Sequence, residues 1–385
     1  MMNVLIIPSW YPNTKDDTSG IFLKEQSEAL NKNGCNVIVS AVIPHRITKI
    51  FDKNIKTGIE KEVENGITVY RYHTYNIFPK MPVMLNIIYY YCIKKIMKNI
   101  YKDEIFPDII HLHSFCFAGY AAKKIAGRYK IPYIYTEHSS GFGLKSFNKM
   151  QIILFKKVIK GSSYNIAVSD SLKQDMMYYL DECKINIIPN MVNDDFFKVN
   201  KEHSKNRKFT FFSLGLLNKE KKFDIVIKAF SKIKNLAVRL LIGGEGPEKE
   251  NLIRLAEDLG VISKIDFLGK LDREEVQKYM ELCDVFVLAS KKETFGVVLI
   301  EALAKGKPVL STKSGGPQSI VDKNNGKLVE INDVDGLSKE MKYFIENISK
   351  YNSDMIRKKC YERYSESSIV SKIIKIYYDV TGKKN

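Results

Sequence analysis

The sequence predicts an α/β protein built as two doubly wound domains that face each other. Three observations carry this. The chain has 385 residues, long for a single hydrophobic core. Apolar runs of strand length alternate with amphipathic runs of helix length almost throughout, the β-α-β rhythm of a parallel sheet covered by helices. The rhythm breaks once, at the polar, basic stretch Val199 to Lys208, and then restarts. In such sheets ligands gather at the carboxyl ends of the strands, here expected in the cleft between the domains.

The elements follow in order. "NVLIIP" reads as the first strand, and a polar loop leads to "IFLKEQSEALNKNG", an amphipathic helix closed by Gly34. "NVIVSAVI" is the next strand. "DIIHLHS", "AGYAAKKIAGRYK", "PYIYTEH", "SYNIAVS" and "INIIPN" repeat the pattern. The second series runs "FTFFSLG", "FDIVIKAFSKIK", "AVRLLIGG", "KIDFLG", "DVFVLAS" and "PVLSTKSGG", with helices between. The expected domains are residues 1–195 and 205–365, with a C-terminal helix over about 366–385 able to pack back onto the first.

Composition narrows the class. Hydrophobic residues make up 45% and charged residues 27%, an ordinary globular balance. "MMNVLIIPSWYPN" lacks a basic leader and is cut by Pro8, so it is not expected to be a signal peptide. The run from Met81 to Ile93 is short of the ~20 residues needed to cross a bilayer, and a cytoplasmic protein is expected. Six scattered cysteines without a CxxC pair give no support for a metal or disulfide. The net charge of +17 invites a negative partner: nucleic acid, an anionic membrane or a phosphorylated substrate. A lysine-rich composition alone would also produce it. The lysines are dispersed and form no known nucleic-acid module, so no nucleic-acid partner is expected.

One segment carries more information. In "SKKETFGVVLIEALAKGKPV", Glu293 and Glu301 bracket an apolar helix that begins near Phe295 or Gly296. Its start offers unpaired N–H groups to an anion, and Gly296 permits close backbone approach. Eight residues at helical rise span ~12 Å, the length of a ligand with hydroxyls at both ends and phosphates in the middle, as in a nucleotide-sugar. Carboxylates hydrogen-bond well to vicinal diols. Alternatively, both are solvated surface glutamates. "GGEGPE" lacks the third glycine of a dinucleotide fingerprint; Gly244 and Gly246 are read as letting the backbone approach a donor. Asp16 and Asp17 form an adjacent pair in a loop and no metal-binding DxD motif, so no metal or other cofactor is expected.

The segment "ETFGVVLIEALAKGKPVLSTKSGGPQSIV" resembles the donor-site signature of retaining GT-B glycosyltransferases, the glycogen- and sucrose-synthase-like glycosyl transferases group 1 family. The likeness extends through "LLIGGEGPEKENL", "KIDFLGKL", "IAVSDSLKQDM" and "IIPNMVNDDF". The resemblance implies two Rossmann-like domains, with Glu301 holding the ribose of a nucleotide-sugar donor and Glu293 facing its sugar and phosphates. It implies that the backbone of Thr294, Phe295 and Gly296 binds there, and that Gly20 opens the first helix beside the phosphates. Lys221 matches the family's phosphate-neutralising lysine in "LGLLNKEKKFD". Leu216 stands where an arginine is usual, and Lys222 replaces a glycine. Lys219 or Lys222 is expected to compensate for the missing cation. His138 in "YTEHSSG" is implied to lie by the transferred sugar or acceptor, whereas His113 reads as structural. Asn190 reads as hinge geometry.

The expected reaction is retaining transfer of a hexose-type sugar from a UDP- or GDP-sugar, UDP being the commoner. The implied acceptor is a saccharide or lipid-linked saccharide in surface polysaccharide or glycolipid assembly. A nucleotide-sugar epimerase or hydrolase on the same architecture is the first alternative, and a basic nucleic-acid-binding protein, suggested only by the charge, the remote one. "MPVMLNIIYYYCIKKIMKNIYK" places Leu85, Tyr89, Cys92, Ile96 and Ile100 on one helical stripe, with Lys94, Lys98 and Lys102 elsewhere. With "MQIILFKKVIKG" it reads either as core helices with solvated lysines or as peripheral contact with an anionic membrane.

Overall fold

The fold is seen in a computed structural model that describes residues 1–14, 17, 20–52, 55–78, 81–198 and 208–383. Asp16 of the acidic pair, and residues 199–207 of the basic stretch, lie outside the described residues. The chain forms two compact units: Met1–Pro189 with Ile369–Asn385, and Asn190–Ser368. Each is described by itself.

The first unit holds β1 (Met2–Pro8), α1 (Ile21–Lys32), β2 (Cys35–Arg46), β3 (Gly58–Glu64), β4 (Ile67–Asn76), α2 (Pro82–Lys102), β5 (Ile109–His113) and α3 (Gly119–Tyr129). It continues with β6 (Tyr133–Glu137), α4 (Lys149–Gly161), β7 (Tyr164–Ala167), α5 (Asp170–Met177) and β8 (Asn186–Ile187). The sheet order is β3-β4-β2-β1-β5-β6-β7-β8. Every pairing is parallel except β3 with β4. This antiparallel hairpin has a physical reason for escaping the sequence reading. β3, "GIEKEVE", is an edge strand with most of its residues solvent-reached, so it lacks the continuous apolar run of a buried parallel strand. By contrast β1 is buried along nearly its whole length.

The second unit holds β9 (Phe209–Leu214), α6 (Phe223–Ser231), β10 (Val238–Gly243), α7 (Lys249–Asp258), β11 (Ile265–Gly269), α8 (Arg273–Leu282) and β12 (Val285–Leu288). α9 (Val297–Ala304), β13 (Val309–Thr312), β14 (Gly326–Val329), α10 (Val334–Asn347) and α11 (Ser353–Tyr364) follow. α12 (Glu366–Thr381) ends the described helices, and from Ile369 its residues belong to the first unit. The second sheet is parallel throughout in the order β11-β10-β9-β12-β13-β14. The chain winds outward from β9 through β10 and β11, then crosses to β12. That reversal leaves the carboxyl ends of β9 and β12 splayed apart, the place where open α/β sheets hold ligands. Phe211, Val226, Ile227, Phe230, Leu240 and Ile242, all fully buried, pack α6 onto this sheet.

Candidate active site

In the second unit, the loops after β9 and β12 meet. Lys221 closes the first loop and Glu293 the second. Lys221 Nζ donates to Glu293 Oε1 at 2.5 Å, and Ser290 Oγ donates to the same oxygen at 2.7 Å. Glu293 is 9% exposed and Ser290 fully buried. Glu293 is fixed from its backbone too: its N–H donates to the Ser314 carbonyl and its own carbonyl accepts from Gly316 N–H, at 2.9 and 2.8 Å. Gly316 must be glycine for this. A Cβ there would lie 2.3 Å from Phe295 Cα.

Glu301 lies on α9, only 2% exposed, and its Oε1 accepts from Arg273 Nη1 at 2.8 Å. The surface alternative therefore fails for both glutamates. Each is buried, and each has one oxygen held by a cation, as a buried carboxylate requires. The other carboxylate oxygen of each accepts no hydrogen bond among the described residues. The helical-rise spacing needs correction. α9 starts at Val297, so Glu293 to Gly296 is a turn, with Gly296 in the left-handed region at φ 102°. Phe295 is buried and packs edge-on to Tyr364, ring centroids 5.8 Å apart, while Thr294 is half-buried.

Gly244 and Gly246 have a packing reason for being glycine. A Cβ on Gly244 would sit 1.9 Å from the Gly215 carbonyl oxygen, and one on Gly246 2.3 Å from that of Leu217. The loops after β9 and β10 thus lie backbone to backbone. They are laced by Gly215 N–H to Gly243, Leu217 N–H to Glu245 and Glu248 N–H to Leu217, at 3.1, 2.9 and 2.9 Å. This clamp fixes the loop that carries Lys221. Leu216, where an arginine was expected, is 59% exposed. Lys222 adopts φ 55°, ψ 39° at the start of α6, which explains why a glycine is the usual residue: only glycine enters the left-handed region freely.

In the first unit, Gly20 adopts φ 75° immediately before α1, and a Cβ there would come within 3.2 Å of Trp10 Cδ1. His138 follows β6. Its Nε2 is 3.0 Å from His113 Nδ1, the two rings stack at 5.3 Å, and Phe22 packs at 5.1 Å. His113, read from the sequence as structural, is thus bonded to His138 directly. His111 continues the cluster, with Nδ1 2.7 Å from Tyr377 Oη and Nε2 2.7 Å from Thr136 Oγ1. Burial holds all three imidazoles neutral: it lowers His111 and His138 to about 3 and His113 well below its usual value. His138 Nδ1 is buried with no hydrogen-bond partner among the described residues.

Sequence reasoning missed the group that carries His138. Glu137, fully buried, accepts from Ser114 Oγ at 2.6 Å, His138 N–H at 2.8 Å and Ser139 N–H at 2.7 Å, and from the Tyr135 hydroxyl. It also missed Ser290 and Arg273. Ser290 gave no separate signal. Arg273, in "LDREE", could have been flagged by asking what neutralises a glutamate on the apolar helix VVLIEALA. Among the described residues, no group of three or more His, Cys, Asp or Glu is placed to hold a metal ion.

Comparison with known proteins identifies the family and the fold. The family model described as Glycosyltransferase Family 4 matches residues 19–196, and that described as Glycosyl transferases group 1 matches residues 194–360. N-acetyl-alpha-D-glucosaminyl L-malate synthase of Bacillus anthracis is 26% identical over 379 residues, 94% of each chain. A putative teichuronic acid biosynthesis glycosyltransferase, TuaC of Bacillus subtilis, is 25% identical over 93% of this chain and 91% of its own. Among solved structures, sucrose-phosphate synthase from Thermosynechococcus elongatus superposes with a TM-score of 0.80 at 16% identity, covering 99% of this chain and 100% of its own. Anabaena Alr3699/HepE in complex with UDP-glucose gives 0.75 at 17% identity, over 98% and 100%. With two α/β sheets, parallel but for one edge strand, and consecutive family matches from residue 19 to 360, the chain belongs to the glycosyl transferases group 1 family of GT-B glycosyltransferases.

Proposed function

We propose that this glycosyltransferase takes a nucleotide-sugar donor, of the UDP series, on its second unit and transfers a hexose-type sugar with retention of configuration. The observation that carries this is the pair of buried glutamates at the sheet's reversal, each with one oxygen clamped by a cation and one left to accept from a ligand hydroxyl. Glu301 would accept from the ribose hydroxyls and Glu293 from the sugar, with Lys221 beside the diphosphate and Thr294, Phe295 and Gly296 supplying backbone groups. The Lys221 ammonium would offset charge on the departing phosphate, which is why no metal is invoked. His138, neutral and with Nδ1 unpartnered, would hydrogen-bond the transferred sugar or the acceptor. In a front-face transfer the leaving phosphate takes the acceptor proton, and no protein nucleophile is needed.

The acceptor would be a saccharide or lipid-linked saccharide, in line with the teichuronic acid biosynthesis named for the Bacillus subtilis relative; the Bacillus anthracis relative is named for L-malate, which is not a saccharide. A thermal-shift panel of nucleotides and nucleotide-sugars without added metal tests the donor. A ligand bound only by the folded state at a hundred times its Kd adds about 2.7 kcal/mol. One nucleotide series should stabilise the protein, Glu301→Ala should abolish the shift, and Glu293→Ala should keep it while lowering turnover. Wild-type shifts and wild-type turnover in both variants would overturn the assignment.

A further inference from the structure

Helices α2, α3 and α4 pack side by side, α3 touching both of the others. They contain four, three and four lysines or arginines, eleven in all, and no aspartate or glutamate. The chain as a whole carries 44 acids against 61 bases, so helices of 21, 11 and 13 residues would ordinarily hold about five acids. Among the described residues none of the eleven cations forms an ion pair. Lys98, Lys123, Lys124, Lys149, Lys157 and Lys160 are exposed.

The same face is apolar at its centre. A groove of about 300 Å³ is lined by Val83, Ile87, Tyr120, Met150, Ile153 and Leu154. Val83, Met150 and Ile153 are 44%, 58% and 39% exposed, and Tyr91 on α2 is 57% exposed. Met150, Ile153, Leu154 and Lys157 recur at the spacing of one helical stripe, so α4 presents an apolar row ending in a lysine. Its opposite side is sunk in the core through Phe155, Val158 and Ile159. The exposed row is therefore additional to what the fold needs.

We propose that this face docks peripherally on an anionic lipid bilayer, with the lysines among the headgroups and the exposed apolar side chains in the interface. Exposed lysines of α3 and α4, none in an ion pair among the described residues, beside an apolar patch complement a surface that is anionic outside and apolar beneath. A nucleic acid fits less well, since this face has one arginine and the groove is lined mainly by Val83, Ile87, Met150, Ile153 and Leu154, with Tyr120 as its aromatic residue. Among the described residues no helix is long and apolar enough to cross a membrane, so the contact is peripheral. The inference does not depend on the donor reading.

Flotation of the full chain with phosphatidylcholine vesicles, with and without phosphatidylglycerol, tests it. Binding should require phosphatidylglycerol and fall as salt rises. Each lysine near a charged surface is worth about fivefold in partition. Lys149→Gln, Lys157→Gln and Lys160→Gln combined should therefore weaken binding about a hundredfold, and Ile153→Asp alone should weaken it several-fold. All four positions are exposed, and circular dichroism of the variants verifies the fold. No binding, equal binding to neutral vesicles, or indifference to the α4 lysines would overturn the proposal. So would lysine-dependent capture of single-stranded DNA combined with vesicle binding that Ile153→Asp leaves unchanged.

Discussion

At the scale of single residues, the proposed donor cluster turns on one lysine. Lys221 is already engaged by Glu293, and the neighbouring position where the family keeps an arginine is Leu216, 59% exposed. An added guanidinium there could reach a diphosphate without disturbing packing, because the site is open. A charge-assisted contact of this kind is worth about 1.5 kcal/mol when partly solvated. Leu216→Arg should thus tighten nucleoside diphosphate about tenfold, read by titration calorimetry, and unchanged affinity would show that the loop directs position 216 away from the phosphates. Much of this cluster was legible in the sequence. Glu293 and Glu301 stand in one recognisable string and Lys221 in another, and charges in an apolar run demand partners. The partners themselves were not legible, because Arg273 lies 28 residues from Glu301 and Lys221 lies 72 from Glu293. Such pairings are products of the fold, and no local pattern announces them.

At the scale of elements, helix starts and loop contacts decide where the functional groups stand. The start of α6 is strained: Lys222 holds a left-handed conformation that costs a residue with a Cβ about 1 kcal/mol or more. Lys222→Gly should remove that strain and, after its larger loss of chain entropy, stabilise the second unit by about 0.5 kcal/mol. Lys222→Val, with a β-branched side chain in the same region, should destabilise it by about 1–2 kcal/mol. Urea denaturation of both variants measures the order, and equal stabilities would show that the start of α6 relaxes. The strand and helix series was readable because buried parallel strands are continuous apolar runs. The β3–β4 hairpin was not, since an edge strand with charged outward residues resembles a loop. Gly244 and Gly246 of "GGEGPE" also admit another loop's backbone, a second reason for glycine that sequence spacing does not announce.

At the scale of the whole molecule, three neutral imidazoles make the first unit sensitive to acid. In the unfolded chain His111, His113 and His138 take up protons near pH 6.5; in the folded unit His111 and His138 do so only near 3, and His113 lies well below its usual value. Their contribution is therefore complete above pH 6.5 and is lost as pH falls below it, by up to about 4 kcal/mol per pH unit when all three titrate together. Glu137, its carboxyl pushed upward by burial, works in the opposite direction, one group against three. Denaturant midpoints should drop steeply between pH 6 and 4, and His111→Gln should flatten the slope; a flat profile in the native protein would contradict the burial of the cluster. The carboxyl-terminal segment returns to the first unit at β5, where His111 bonds Tyr377, and just before it, where Lys383 pairs with Asp108 at 2.6 Å. The second unit is thus an insertion in the first. A ribosome working from the amino terminus finishes the entire second unit before it delivers the helix that completes the first. The first unit to be started is the last to be closed, and until then its histidine-bearing strands wait for their final covering helix.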